Sequence, residues 1–266
     1  MTKIVEIYKQ VFQVLRKNPI IMILFLVLGV LDGIALTVLF FAPIPPVSYI
    51  LAPVIRTFWT EQYLHYPYNF LLLPKLFGHV HFLISTVIGV FIGGLIIKKI
   101  EADQLGQNVS TLMAAGSIFK KYFSLVIAWL LMYGVFVVSL KGLLYILPKT
   151  FLIQLSGGFI LGLLVQSILT FIFPVLVLVN GGFFRSIGTA LRYGLRNIGM
   201  MSVVLAIPML LALGLSVLKL YTPTFIKFYP ELVLWVLAGG IVITLIVDMF
   251  ITSASTLVFL KVRNDK

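Results

Sequence analysis

Six stretches of the chain are almost wholly apolar, and each is long enough to cross a lipid bilayer as a helix. Crossing the hydrocarbon core takes about 20 apolar residues in an α-helix. The stretches cover residues 20–42, 76–97, 122–147, 157–180, 199–220 and 232–260. Strands with open edges would leave backbone groups unpaired in lipid. The pattern therefore predicts an all-α membrane protein with six transmembrane helices.

Three of these stretches follow a short segment with helical periodicity and one basic face. The segments begin at residues 4, 109 and 184, and each ends in a basic residue: Lys17, Lys121 and Arg196. Each segment is followed by two apolar stretches. We therefore expect a single integral membrane domain over residues 1–266, built from three amphipathic-helix-plus-hairpin repeats that cover residues 1–100, 101–181 and 182–266.

The faces of the first and third segments follow from their spacing. The predicted apolar stripe of the first segment comprises Ile4, Tyr8, Val11, Phe12 and Leu15. That of the third comprises Phe184, Ile187, Leu191 and Leu195, while Arg185, Arg192 and Arg196 share another face. One interpretation is an interfacial helix anchored by lipid headgroups. The other is a specific anionic-lipid or phosphate site built by the three arginines, with Lys17 and Lys121 as further candidate lipid contacts.

The loop after the first stretch differs from the others in its proline and aromatic content. It covers residues 43–75 and contains six prolines and seven aromatic residues. Residues 47–64 are too polar to cross the membrane, so we expect an interfacial or re-entrant helix there. Aromatic rings favour the membrane interface. An aromatic belt, a lid over a cavity and a partner-docking surface are the three interpretations.

Composition and charge support the membrane assignment. The chain is 61% hydrophobic and only 11% charged, whereas a soluble domain has about 25% charged residues. The absence of cysteine excludes disulfides and thiolate metal sites. The net charge of +12 does not indicate nucleic-acid binding, because the basic residues cluster at the ends of the apolar stretches.

The placement of the basic residues predicts the orientation in the membrane. One side collects fourteen of them, from Lys3 to Lys266, and the other side five; Lys141 lies inside a stretch. Because basic residues are enriched in cytoplasmic loops, both termini should be cytoplasmic. Asn108 begins a glycosylation pattern, but it falls on the predicted cytoplasmic side, so we interpret the pattern as chance.

Four polar residues within the apolar stretches are candidates for an intramembrane site. Asp32 and Asp248 each lie twelve residues from the predicted cytoplasmic end of their stretch, which corresponds to a depth of about 18 Å. Together they could bind a proton or a cation, with Gln166 as a possible contributor. The alternative is that each carboxyl group is hydrogen-bonded locally, for example to Thr37. Lys141 lies near the outer boundary, where its side chain can reach water.

No recognisable motif for catalysis or cofactor binding is present. The sequence contains no nucleophile elbow, phosphate-binding loop or zinc-protease motif. His79 and His81, with His65 upstream, could bind zinc. However, residues two apart do not share a helix face, so interfacial hydrogen bonding is the favoured role. We expect no catalytic residue, no cofactor and no metal, and the chain is not expected to be an enzyme.

One segment carries a resemblance to known proteins. FPVLVLVNGGFFRSIGTALRYGLRN, residues 173–197, ends one span and leads through an Ala/Arg amphipathic helix into the next. It resembles the six-span bacterial and archaeal membrane proteins of unknown function, a group that includes the membrane domain of some glycerophosphodiester phosphodiesterases. In that group the membrane domain is not the phosphodiesterase. The resemblance therefore implies a six-span fold and no catalytic residue.

Three classes of function are consistent with these features, and an intramembrane enzyme is the least supported of them. The first is a multi-pass scaffold or accessory protein of the cell membrane (the inner or cytoplasmic membrane). It would engage anionic lipids, a protein partner or a second copy of itself through its cytoplasmic amphipathic helices, and it would not bind nucleic acid. The alternative is a transporter or lipid-translocating protein with a polar site near Asp32 and Asp248.

Overall fold

The computed structural model describes residues 2–107 and 109–264, and this part of the chain is helical with connecting turns. It contains thirteen α-helices: α1 (Thr2–Lys17), α2 (Pro19–Phe40), α3 (Ser48–Phe58), α4 (Asn69–Ile84), α5 (Val90–Gln104), α6 (Thr111–Phe119), α7 (Tyr122–Ile146), α8 (Phe151–Leu169), α9 (Ile172–Leu178), α10 (Phe183–Arg196), α11 (Ile198–Leu220), α12 (Thr222–Phe228) and α13 (Leu232–Asn264). Asn108 and Lys266 lie outside the described residues, as does the side chain of Lys3.

Six helical spans are long and apolar enough to cross a membrane. They are Pro19–Phe40, Asn69–Gln104, Tyr122–Ile146, Phe151–Leu178, Ile198–Leu220 and Leu232–Arg263. The second span joins α4 to α5 through a π-helical turn, Ser85–Gly89. The chain is a polytopic membrane protein, and the predicted all-α class with six spans is confirmed.

The second span begins earlier than the sequence predicts. Residues 69–75 were expected in the loop, but they form the first two turns of α4 despite Pro74. Phe70, Leu72 and Leu73 are buried there. Burying a large apolar side chain contributes about 1.5–3 kcal/mol, so three of them outweigh the cost of about 3 kcal/mol for an internal proline.

The proline-rich loop is partly helical. The helix expected over residues 47–64 is present as α3, followed by a 3₁₀ turn, Glu61–Leu64. A second short helix, α12, follows the fifth span and carries a proline in its first turn. It was not predicted because its seven residues are too few to show a helical period. The position of α3 at the membrane surface stays a prediction.

Each of the three predicted surface helices ends before the span that follows it. One residue, Asn18, separates α1 from α2; Lys120 and Lys121 separate α6 from α7; Asn197 separates α10 from α11. Lys121 (φ −103°, ψ 0°) and Asn197 (φ −112°, ψ 16°) have nearly the same backbone conformation. This conformation lies in the bridge region, which breaks a helix. The second and third corners therefore have a common local form, while the complete threefold repeat stays a prediction.

The fourth span is interrupted at Thr170 and Phe171, between α8 and α9. Pro174 explains the interruption, because it offers no N–H to the carbonyl of Thr170 and its ring displaces that carbonyl. The fourth span is thus broken into two helices just before Pro174. Pro208 lies within α11, which continues as one helix from Ile198 to Leu220.

The chain forms two compact units, each assembled from distant segments. The described residues of Met1–Phe25, Thr86–Leu210 and Val247–Lys266 form the first unit, and Leu26–Ser85 with Leu211–Ile246 form the second. Large fully buried side chains of the first unit include Phe171, Met201 and Phe259. The second unit has its own core of Leu36, Leu39, Phe70, Leu73, Phe77, Ile226, Val233 and Leu237. The single-domain assignment and the repeat boundaries stay predictions.

Candidate functional site

Helix α10 packs against other helices of the first unit through a face of small residues. Ser186, Ala190 and Gly194 are spaced four apart and are all buried. Gly194 lies directly on the backbone of α8: a Cβ atom there would overlap the carbonyl oxygen of Ile168 and lie 2.8 Å from its carbonyl carbon and its Cα. Only glycine permits this approach of two helix backbones.

The apolar stripe predicted for α10 is a second face, and it is largely exposed. Phe184 is 86% exposed and Leu195 60% exposed. Ile187 and Leu191 are half-buried at the edge of the packed face. The face that packs on the protein was missed, although its Ser-x₃-Ala-x₃-Gly spacing could have revealed it, since small residues permit close helix packing in membranes.

The basic face of α10 is the third face. Arg185, Arg192 and Arg196 are exposed, and their spacing of seven and four places them on one side of the helix. In the part of the chain that the structure describes, no carboxylate forms an ion pair with any of the three. A helix with one packed face, one exposed apolar face and one unpaired basic face has the composition of an interfacial membrane helix.

Acidic groups of the first unit pair with other cations. Oδ1 of Asp103 lies 2.9 Å from Nζ of Lys17, and Oε2 of Glu6 lies 3.6 Å from Nζ of Lys261. Glu101 accepts from Lys98 at 3.0 Å and from Arg263 at 3.1 Å. The pairs of Lys17 and Glu6 join the amphipathic α1 to α5 and α13, and Glu101 joins α5 to α13. These cations are partly neutralised, unlike the arginines of α10.

Helix α1 also packs on the first unit, through a face that only partly matches its predicted stripe. Val11 and Leu15 are buried as expected, together with Ile7 and Val14, but Phe12 is 64% exposed. The Tyr8 hydroxyl donates to the carbonyl oxygen of Val204 at 2.8 Å. Burial raises the pKa of Tyr8.

Lys121, a candidate lipid contact, is engaged inside the protein. Its Nζ donates to the carbonyl oxygens of Leu176 and Val177 at 3.0 Å and of Val179 at 3.3 Å. These are the terminal carbonyls of α9, where a cation is favoured by the helix dipole. Burial and the nearby Lys98 lower the pKa of Lys121, and Glu101 opposes the shift. Lys17 remains 69% exposed beside Asp103.

The four candidate intramembrane residues lie in different surroundings. Asp32 is buried in the second unit, at 4% exposure, whereas Asp248 is in the first unit and exposed. Lys141 on α7 is exposed, and Gln166 on α8 is half-buried. A site shared by these residues stays a prediction.

Asp32 has a partner that the sequence did not suggest. Nδ1 of His81 lies 3.0 Å from Oδ2 of Asp32. The expected local partner, Thr37, instead donates to the carbonyl oxygen of Gly33 at 2.8 Å. The sequence placed His81 at the outer interface because its span was expected to begin at residue 76. In the structure the span begins at Asn69, so His81 lies twelve residues into it.

The histidines do not form a common site. Nδ1 of His79 lies 2.6 Å from the carbonyl oxygen of Lys75, and His81 contacts Asp32 on another face of α4. Within the described residues, no group of three or more histidine or acidic side chains is placed to hold a metal ion.

Known proteins give no direct guide to this arrangement. Comparison of the chain with protein-family models, with curated proteins and with solved structures finds no match.

Proposed function

We propose that this protein is a multi-pass scaffold or accessory protein that holds anionic lipid headgroups on the basic face of α10. The observation that supports the proposal most is the exposed stripe of Arg185, Arg192 and Arg196 beside the exposed Phe184 and Leu195. No carboxylate among the described residues forms an ion pair with these arginines. The small-residue face of the same helix, with Ser186, Ala190 and Gly194, packs on the protein, so the arginines have a fixed position.

The energetics favour lipid on both exposed faces. Transferring a large exposed apolar side chain such as Phe184 into lipid gains about 1.5–3 kcal/mol. Each arginine near an anionic surface gains about 1 kcal/mol. Guanidinium groups also bind phosphate oxygens through paired hydrogen bonds. Three arginines therefore favour an anionic over a zwitterionic headgroup by about 3 kcal/mol, or roughly a hundredfold.

The same proposal includes the orientation of the chain in the membrane and its resemblance to the six-span membrane proteins. With fourteen basic residues on one side and five on the other, α10 and both termini face the cytoplasm, where anionic lipids are enriched. The membrane is the cell membrane. The six-span proteins to which residues 173–197 are similar would be built on the same plan. A protein partner or a second copy would compete with lipid for the same basic face.

Lipid selectivity of the full chain tests the proposal. Wild type and an R185Q/R192Q/R196Q variant, purified in a neutral detergent, are titrated with phosphatidylglycerol and with phosphatidylcholine, and bound lipid is counted by native mass spectrometry. The wild type should prefer phosphatidylglycerol, and the preference should fall by about a hundredfold in the variant. It should also weaken with added salt, since salt screens exposed charges.

A control variant distinguishes the effect of removing the α10 arginines from the effect of lowering the net charge of the protein. K75Q/K149Q/K227Q removes the same three charges from exposed lysines elsewhere in the chain, and it should keep the wild-type preference. Equal losses in the two triple variants would mean that only total charge matters. An unchanged preference in the arginine variant would overturn the proposal.

A transporter is the second candidate, and the buried Asp32 favours it, because ionisable groups within membranes often mark transport paths. In sealed proteoliposomes, a transporter of protons would dissipate an imposed pH gradient measured with an enclosed pH-sensitive dye. Asp32→Asn would then slow the dissipation, whereas a scaffold would give equal, slow rates in both proteins.

A further inference from the structure

The second unit contains a carboxylate–imidazole pair within its spans. Asp32 on α2 and His81 on α4 meet at 3.0 Å between Oδ2 and Nδ1. The side chain of Asp32 is 6% exposed and that of His81 35% exposed. The ring of Phe77 stacks on the imidazole, with 6.0 Å between ring centroids. The carboxylate is thus buried, and the imidazole is the more exposed member of the pair.

Within the part of the chain that the structure describes, the second oxygen of the carboxylate has no hydrogen-bond partner. Oδ1 of Asp32 is buried and accepts no hydrogen bond, although an ionised carboxylate has acceptor sites on both oxygens. A buried charged group without compensation is costly and tends to become neutral. The geometry therefore disfavours a permanently charged pair and favours one that takes up a positive charge.

The size of the site limits what that charge can be. Sodium or calcium needs several oxygen ligands, and the described residues around Asp32 place no third acidic or histidine ligand beside the pair. Because Oδ1 has almost no accessible surface, a hydrated ion or an amine has no room to reach it. A proton needs neither space nor further ligands.

We propose that Asp32 and His81 bind one proton as a unit. With Nδ1–H of His81 donating to Oδ2, the pair carries one negative charge. A proton that arrives at Nε2 of His81 converts it to an imidazolium–carboxylate pair with no net charge. The half-buried imidazole is the point of entry, and the buried carboxylate stabilises the positive ring that forms.

Within the described residues, no other ionisable side chain of the second unit forms a hydrogen bond or an ion pair with Asp32 or His81. On α4, His79 contacts the Lys75 carbonyl and Lys75 lies over Trp59. Within this unit, α11 contains one ionisable side chain, Lys219, at its C-terminal end. Residues 232–246 of α13 contain none, and neither does α2 within this unit apart from Asp32. Tyr49 and Arg56 lie on α3 and Lys227 on α12, and in the described residues none of them hydrogen-bonds to Asp32 or His81.

A double-mutant cycle on the full chain in lipid nanodiscs tests the proposal. Thermal unfolding is measured at pH 5 and pH 8 for wild type, Asp32→Asn, His81→Gln and the double variant. Imidazole is the side chain whose charge ordinarily changes in this range, and the carboxylate attracts a positively charged ring more strongly than a neutral N–H donor. The coupling between the two positions, expressed as an unfolding constant, should therefore be about fivefold larger at pH 5.

A second measurement keeps the test independent of variant stability. Nuclear magnetic resonance of wild-type protein labelled at histidine and aspartate follows the His81 ring carbon and the Asp32 carboxyl carbon through the pH range. The two signals should change in one common step, as expected for a coupled pair. His79→Gln, two residues away on the same helix, is the control and should leave that step unchanged. Coupling that does not vary with pH, or two separate steps, would overturn the proposal.

Discussion

Replacing Gly194 by alanine should detach α10 from the spans. The added Cβ would overlap the carbonyl oxygen of Ile168 and lie 2.8 Å from that residue's carbonyl carbon and Cα. These are backbone atoms of α8, so no rotamer change relieves the overlap. Overpacking a close contact costs about 1–3 kcal/mol, and a backbone clash belongs at the upper end.

A matched control lies on the same helix. Alanine is favoured over glycine in a helix by about 1 kcal/mol, so Gly194→Ala should destabilise the protein by a net of about 2 kcal/mol. Gly188 has no atom within 4 Å of its potential Cβ. Gly188→Ala should therefore stabilise the protein by up to about 1 kcal/mol, and the two variants should differ by about 3 kcal/mol.

Two assays measure the effect. Thermal unfolding in detergent, followed by circular dichroism, gives the difference in stability. The chain has no cysteine, so a single Ser186→Cys reports on docking: Ser186 is 2% exposed, and its thiol should react slowly with a maleimide unless α10 is displaced. Gly194→Ala should accelerate the reaction and Gly188→Ala should not. Equal stability and equal labelling in the two alanine variants would refute the proposed packing of α10.

Three further predictions concern charged and polar contacts of the first unit. Glu101→Gln weakens two ion pairs of a side chain that is 13% exposed, so thermal unfolding should show a loss of stability of about 1–3 kcal/mol. This loss should exceed that of the control Glu61→Gln, because the side chain of Glu61 is 64% exposed. The pKa of Lys121 is lowered in the folded protein from 10.5; since the unfolded chain binds that proton more tightly, stability should rise with pH up to 10.5. The unfolding free energy of wild type relative to that of Lys121→Met should accordingly increase from pH 8 to pH 10. A constant difference would contradict the burial of the ammonium group. Tyr8→Phe removes the hydrogen bond to Val204 and should cost about 0.5–1.5 kcal/mol in the same unfolding assay; an unchanged melting temperature would mean that this contact does not stabilise α1.

The sequence predicts the spans well because lipid imposes a simple rule on them. Every backbone group must be paired within a helix, and about 20 apolar residues are needed. Tyr122 was correctly predicted as the first residue of the third span, and Leu232 as that of the sixth. The start of the second span was wrong by seven residues. Pro74 suggested a loop, whereas burial of Phe70 and Leu73 in the second unit maintains the helix.

The candidate sites depend on which faces meet, and periodicity alone does not give this information. Periodicity showed that α10 has an apolar stripe and a basic stripe. The helix packs on the protein through neither of them, but through its small-residue face, because Gly194 permits backbone contact with Ile168. The partner of Asp32 was missed for a related reason. Contact between His81 and Asp32 depends on the relative register of α2 and α4, which is set by the core of the second unit.

The central claim is that α10 lies in the membrane interface with its arginines at the headgroups. Two adjacent pairs of residues test it directly: Phe184 with Arg185, and Leu195 with Arg196. In the cysteine-free chain, each position is changed in turn to cysteine and spin-labelled, and collision with oxygen and with a water-soluble nickel complex gives its depth in anionic nanodiscs. An interfacial helix buries its apolar face by about 5–10 Å. The labels at 184 and 195 should therefore collide mainly with oxygen, and those at 185 and 196 mainly with the nickel complex. Equal access of the nickel complex to all four labels would contradict the account.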